Sequence, residues 1–290
     1  MSAPSALSTS DPDISPRATV AVDLVDHAEP KAHLRVTQGT VVRSEWIKFR
    51  SVRSNMITLV AAGVVLVGFG ALFASLAGRS NAVGPSNAGS DALSTTFGAL
   101  DLTQLILGVL GALFIASEYS SGMIRTMFTA VATRVPVLRA KALVLGAGAW
   151  AVMTAAAFAA FFIGQAVYAG SGRTFALTDP GVLRSVLGVG VYGAGVVLIG
   201  LALGFLLRST AAAIGTLVGV LMLAPGLVSL LPGGISTPLG KILPSNAGSA
   251  FTSVIQSSDR LTPAVGFAVF AVWVVGLLVA AAVVLKRRDA

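Results

Sequence analysis

Six apolar stretches, at residues 56–77, 97–117, 143–169, 182–207, 211–231 and 264–285, constrain this chain more than any other feature. A hydrocarbon core about 30 Å thick takes roughly 20 helical residues at 1.5 Å rise each, and every stretch reaches that length. With 55% hydrophobic residues and only 11% charged ones, and a mean hydropathy of +0.86, a water-soluble fold would lack the charged surface that water requires. The sequence therefore specifies an all-α polytopic membrane protein with six transmembrane helices.

A net charge of +8 could suggest nucleic acid as a partner, but the placement of the charges argues against it. Arg43, Lys48, Arg50, Arg53, Arg125, Arg134, Arg139, Lys141, Lys286, Arg287 and Arg288 all lie beside span ends, where they act as topology determinants. A cytoplasmic N-terminus puts 118–142, 208–210 and the C-terminal tail inside. The outer segments 78–96, 170–181 and 232–263 then carry only Arg79, Arg173, Lys241 and Arg260. Both termini are expected in the cytoplasm, with no nucleic acid bound.

The chain has no cysteine, and its two histidines, His27 and His33, fall in a polar leader. Disulfides and thiolate metal sites are thereby excluded. Residues 1–39 lack the apolar core of a cleavable signal and mix Asp11, Asp13, Asp23, Asp26 and Glu29 with Pro, Ser and Thr. They are expected to form a disordered cytoplasmic tail ahead of a six-span domain at 40–290.

Residues 41–53, VVRSEWIKFRSVR, set Val42, Trp46 and Phe49 at i, i+4 and i+7, with Arg43 and Arg50 on the flank and Lys48 nearly opposite. This pattern predicts an N-terminal interfacial helix along the inner leaflet, with Trp46 at headgroup level and basic side chains near anionic lipid. A plain positive-inside anchor would leave the same pattern. The segment 118–141, EYSSGMIRTMFTAVATRVPVLRAK, places Ile124, Met127, Phe128 and Val131 at i, i+3, i+4 and i+7. Such an apolar stripe fits the groove of a partner, or rests on lipid. Gly122 permits a sharp change of direction, and Pro136 with the basic cluster closes the segment.

Gly200-x-x-x-Gly204 and Gly215-x-x-x-Gly219 in the fourth and fifth stretches predict close helix packing, within one chain or between two. Between the fifth and sixth stretches, Pro232, Pro238, Pro244 and Pro263 break a segment whose Ile242, Leu243, Phe251, Val254 and Ile255 suit open water poorly. One or two short re-entrant or external helices are expected there, because irregular backbone at membrane depth must be buried or line a wet cavity. Asp101 is the sole carboxylate of the six stretches and shares a helical face with Gln104; these two and Gln165 are the candidates for a polar pathway. No His, Cys, Lys or Arg occupies the middle third of any stretch, and no G-x-x-x-x-G-K-[S/T] phosphate cradle occurs anywhere. No catalytic, metal-binding or cofactor-binding set is therefore expected, and any work of transport must come from another polypeptide.

RSEWIKFRSVRS before the first span, E-Y-x-x-G-M-I-R-T after the second, then Arg134, Leu138 and Lys141 as R-x-x-x-L-x-x-K, and a long Pro-broken last outer loop occur in this order. Through them, residues 40–290 resemble the membrane-spanning permease subunit of type-2 ATP-binding-cassette (ABC) exporters. One departure is that the family often has a Pro shortly before the Arg matched by Arg134, whereas here Pro136 follows it.

The resemblance implies that 118–128 is a coupling helix seated in a cleft of a separate ATPase, with Glu118, Tyr119, Gly122, Met123, Ile124, Arg125, Met127 and Phe128 carrying the coupling. It implies that 41–53 is the connecting helix, through Arg43, Trp46, Lys48, Phe49 and Arg50. ATP and Mg would bind the ATPase, two ATPase subunits would serve a complex, and a second copy of this chain or a paralogue would complete the pathway. The setting would be a bacterial plasma membrane, with alternating access expelling cargo. A path rich in Ala, Leu, Val and Gly suits a drug-like amphiphile, a lipid or a hydrophobic peptide equally. A non-transporting sensor or assembly factor that recruits a cytoplasmic partner through 118–141 is the alternative.

Overall fold

The computed structural model describes residues 38–79, 88–120, 135–169, 175–255, 257 and 260–287. Most of the expected tail lies outside them, and Gln38 and Gly39 already belong to the first helix. Among the described residues the regular structure is entirely helical. The helices are α1 (Gln38–Ser51), α2 (Arg53–Arg79), α3 (Ala88–Phe97), α4 (Leu100–Ser120), α5 (Val135–Tyr168), α6 (Val182–Leu207) and α7 (Thr210–Val218). A π-helical turn (Gly219–Leu223) leads into α8 (Ala224–Ser229), and α9 (Gly233–Ile242), α10 (Pro244–Thr252) and α11 (Pro263–Arg287) follow.

Six segments are long and apolar enough to cross a membrane: Arg53–Ala77, Ala92–Ile115, Val135–Tyr168, Val182–Leu207, Thr210–Ser229 and Pro263–Arg287. Each overlaps one of the stretches read from the sequence. The third differs most, because its helix starts eight residues before position 143 and carries Arg139 and Lys141 within it. At 34 residues it is about 51 Å long, well beyond a hydrocarbon core of about 30 Å.

Local chemistry explains the interruptions. Between α6 and α7 the chain turns at once: Arg208 adopts a left-handed φ of 51° and its N–H reaches Gly204 O, while Ser209 Oγ accepts from Ala212 N at 3.4 Å to cap α7. The π-helical turn comes just before Pro225, which has no N–H for Leu221 O and whose ring would crowd that carbonyl. Widening the preceding turn relieves the clash without ending the span.

α6 forms the centre, with α4, α5, α10 and α11 packed around it. Its most apolar window is 78% buried within the chain, against 17% for the fifth span. The α4–α6 crossing brings backbone onto backbone: a Cβ on Gly200 would overlap the carbonyl oxygen of Gly108, and one on Gly111 would overlap that of Val197. Small residues at a crossing permit this approach, and dispersion between the helices then supplies the attraction that lipid cannot. Gly200 and Gly204 thus pack within the chain, whereas a Cβ added at Gly215 or Gly219 would meet nothing within 4 Å among the described residues.

Between the fifth and sixth spans the expected short helices are α9 and α10. α10 buries Ala247, Gly248, Ala250, Phe251 and Thr252. α9 buries no residue and leaves Ile235, Leu239 and Ile242 exposed at i, i+4 and i+7.

Candidate functional site

Polar side chains come together near the start of α5 and again where α10 meets α4 and α6. At the first, α1 lies beside the opening turns of α5. Gln38 Nε2 donates to Pro136 O at 3.1 Å. Further along, Lys141 Nζ lies 2.8 Å from Glu45 Oε2, and both side chains are only 1% exposed. Lys48, 41% exposed, approaches the other oxygen, Oε1, at 3.3 Å. The Lys141 ammonium also stands 5.0 Å from the centroid of the Phe114 ring on α4.

Phe49 completes this joint. It is buried, meets Phe114 edge-on at a centroid distance of 6.1 Å, and fits over Gly148, where a Cβ would come within 3.2 Å of its ring. Burying a ring of this size stabilises the contact by roughly 2–3 kcal/mol. The ion pair adds geometric selectivity, because taking two charges out of water costs about as much as their attraction returns, whereas a mispaired register would leave a bare charge inside.

The face used by α1 is Val41, Glu45 and Phe49, shifted from the Val42, Trp46 and Phe49 of the sequence pattern. Val42 is only partly buried and Trp46 is exposed, while Arg43 and Arg50 also point outward. Glu45 and Lys141 were not identified as a pair from the sequence. The signal available was that Glu45 is the sole carboxylate between Glu29 and Asp91 and sits amid Arg43, Lys48, Arg50 and Arg53.

α1 therefore touches both helices that flank residues 121–134: α4 through Phe114 and α5 through Lys141 and Gly148. Glu118 and Tyr119 belong to the last turn of α4, and their side chains lie outside the described residues. Gly122, Met123, Ile124, Arg125, Met127 and Phe128 lie outside them altogether.

The second place is a cavity of about 350 Å³ between the α3–α4 junction, α6 and α10, lined among others by Asp101, Tyr192, Thr252, Arg260, Ser94 and Ser245. Ser94 Oγ and Ser245 Oγ are buried and have no hydrogen-bond partner among the described residues. Buried hydroxyls in this position call for water or a polar ligand group. Gln104 Nε2 donates to Asp101 Oδ1 at 3.4 Å, and the Tyr192 hydroxyl donates to Gln104 Oε1. Behind the hydroxyl, the Tyr192 ring packs 5.1 Å from Phe270, which lies 5.7 Å from Phe251. Asp101, Gln104 and Tyr192 thus form one polar chain from cavity to core, closed by aromatic rings.

α10 is held in this wall by the first turn of α6. Arg184 Nη2 donates to Ser253 O at 2.8 Å, and Ser185 Oγ donates to Thr252 O, so two carbonyls at the end of α10 are satisfied. Gln165 is not in this assembly; its Oε1 accepts from Phe175 N at 3.4 Å near the end of α5. The cavity offers hydroxyls, one carboxylate and one guanidinium, a set suited to holding a polar group rather than to breaking a bond.

No curated protein matches the chain. The family model described as ABC-2 family transporter protein matches residues 41–224, which is 184 of 290 residues and runs from α1 to the start of α8. The chain therefore belongs to the ABC-2 family of transporter proteins, as a multi-pass membrane permease subunit of an ABC transporter that operates with a partner ATPase.

Proposed function

We propose that this chain forms the translocation pathway of an ATP-driven exporter of hydrophobic or amphipathic cargo in a bacterial plasma membrane, with both termini cytoplasmic. The observation that carries this reading is the buried joint of Glu45, Lys141, Phe49 and Phe114, which ties α1 to the two helices flanking the proposed coupling segment. A push delivered at 118–128 acts on the end of α4, and α1, bound to both α4 and α5, makes the two move as one unit. Rigid elements with satisfied buried contacts transmit such a displacement where a loose loop would absorb it.

In this mechanism two ATPase subunits bind ATP and Mg and close on one another, drawing together the coupling segments of two permease chains. Ile124, Met127 and Phe128 fill a groove on the ATPase and Arg125 pairs with its acidic rim. The second permease copy, or a paralogue, packs along the fifth span, where Gly215 and Gly219 are open to close approach. Cargo leaves by the hydroxyl-lined cavity, and the rings around Tyr192 form its inner seal.

The test is reconstitution of the full chain with its ATPase in lipid vesicles. The wild-type chain should raise the rate of ATP hydrolysis, and Ile124→Asp or Gly122→Pro should abolish that rise while membrane insertion stays normal. Stimulation unchanged in both variants would overturn the coupling assignment. Stable ATPase binding without stimulation, and without efflux of amphipathic dyes, would point instead to the sensor or assembly factor.

A further inference from the structure

The hydroxyl-lined cavity holds a group that a passage for apolar cargo does not require. Asp101 lines it and is the sole carboxylate of the six spans. The second span begins at Ala92, so Asp101 lies nine residues inside it, about 14 Å along the chain at 1.5 Å per residue. Tyr192, joined to Asp101 through Gln104, lies ten residues inside the fourth span. Both positions set the carboxylate well inside a hydrocarbon core of about 30 Å. A charge at such depth is costly, and membrane proteins keep one where water or a charge partner reaches it.

The protein supplies no such partner: Asp101 has no ion pair among the described residues. The hydrogen bonds behind it run one way, from the Tyr192 hydroxyl to Gln104 Oε1 and from Gln104 Nε2 to Asp101 Oδ1 at 3.4 Å. An accepting carboxylate ends this chain, and Asp101 is exposed where it meets the cavity. Arg260, the guanidinium of the same lining, stands three residues before the sixth span and is exposed, so water and salt screen it. Around the carboxylate the lining adds the aromatic residues Phe97 and Tyr192 and the hydroxyls of Ser94 and Ser245. Those two hydroxyls are buried without a hydrogen-bond partner among the described residues. Carboxylate, ring face and hydroxyl oxygen share one complement, an ammonium, which pairs with the first, is drawn to the quadrupole of the second and donates to the third. A neutral polar group would leave the carboxylate without its charge partner, and an anion would be repelled by it.

We propose that this cavity selects cargo carrying an alkylammonium group, with the nitrogen against the Asp101 carboxylate and the apolar remainder along Phe97, Leu100 and Ile255. All four residues line the one cavity of about 350 Å³, a size within the range of small-molecule sites. That the ligand is cargo rests on the exporter reading; that it is an ammonium rests on the cavity alone.

The test is equilibrium binding to the purified full-length chain in phosphatidylcholine nanodiscs, with empty nanodiscs subtracted. The probes are dansylcadaverine, whose primary amine is charged at neutral pH as a lysine is, and its N-acetyl derivative, which keeps the dansyl group and spacer but carries no charge. A charge-assisted hydrogen bond should favour the amine by about tenfold or more. Asp101→Asn keeps the size of the side chain and the bond from Gln104, and should cut that preference to within about twofold. Asp179→Asn is the control and should leave it unchanged, because Asp179 accepts from Ala176 N and is not among the residues that line the cavity. A second measurement needs no variant: a membrane-permeant carbodiimide should couple the bound amine to Asp101, read as a dansyl mass on the peptide that carries it. Equal binding of the two probes by the wild type, a preference that survives Asp101→Asn or is lost in Asp179→Asn, or no dansyl on the Asp101 peptide would each overturn the proposal. Displacement of the amine by millimolar sodium would assign the carboxylate to a metal ion and overturn it as well. The readout requires no ATPase, so its failure leaves the exporter reading standing, and failure of ATPase stimulation leaves the ammonium site standing.

Discussion

Replacing Lys141 with Met tests how firmly α1 is held. Methionine is close to lysine in length and keeps the apolar contact with Phe114, but among the described residues Glu45 is left with Lys48 alone, at 3.3 Å and with the lysine 41% exposed. Removing one member of a buried pair costs about 3–5 kcal/mol, because the remaining charge stays inside without compensation. The second lysine retains part of that compensation, which places the expected loss at the lower end, about 3 kcal/mol. Such a loss raises the undocked fraction of α1 roughly 150-fold. Hydrogen–deuterium exchange reports local opening of this kind: amides of residues 41–49 should lose about two orders of magnitude of protection, while those in the centre of α6 should stay as they are. Adding Glu45→Gln removes the stranded carboxylate, and the double variant should recover to within about 1 kcal/mol of wild type. Protection within threefold of wild type in Lys141→Met, or a double variant whose loss equals the sum of the singles, would refute the argument that this pair locks α1 onto α5.

Two further expectations follow from packing and topology. Gly200→Leu should abolish a monodisperse elution profile, since its side chain would have to displace the backbone of α4, whereas Gly219→Leu enters open space and should leave folding of the chain unchanged while weakening association with a second copy along the fifth span; loss of folding in the Gly219 variant, or tolerance in the Gly200 variant, would contradict the packing. The chain contains no cysteine, so single cysteines report sidedness cleanly: with a membrane-impermeant maleimide on intact cells, Ser257→Cys should label and Ser51→Cys should not, and the reverse pattern would overturn the proposed orientation.

The number and approximate bounds of the spans were legible in the sequence because hydrocarbon thickness imposes a length, and a run of apolar residues satisfies it with no knowledge of neighbours. The short helices between the fifth and sixth spans were legible for a related reason, as prolines punctuate a stretch too apolar for open water. Motif order was enough to indicate the ABC-2 family. Which face of α1 is buried was not readable, since Val41 and Val42 differ by one helical step and only the surface of α5 chooses between them. Nor could the sequence pair Glu45 with Lys141, which are 96 residues apart, or say that Gly200 packs inside the chain while Gly219 stays open. A span's existence depends on its own composition, but a buried charge or a bare backbone is stable only against a particular partner surface, and that surface exists only once the helices have packed.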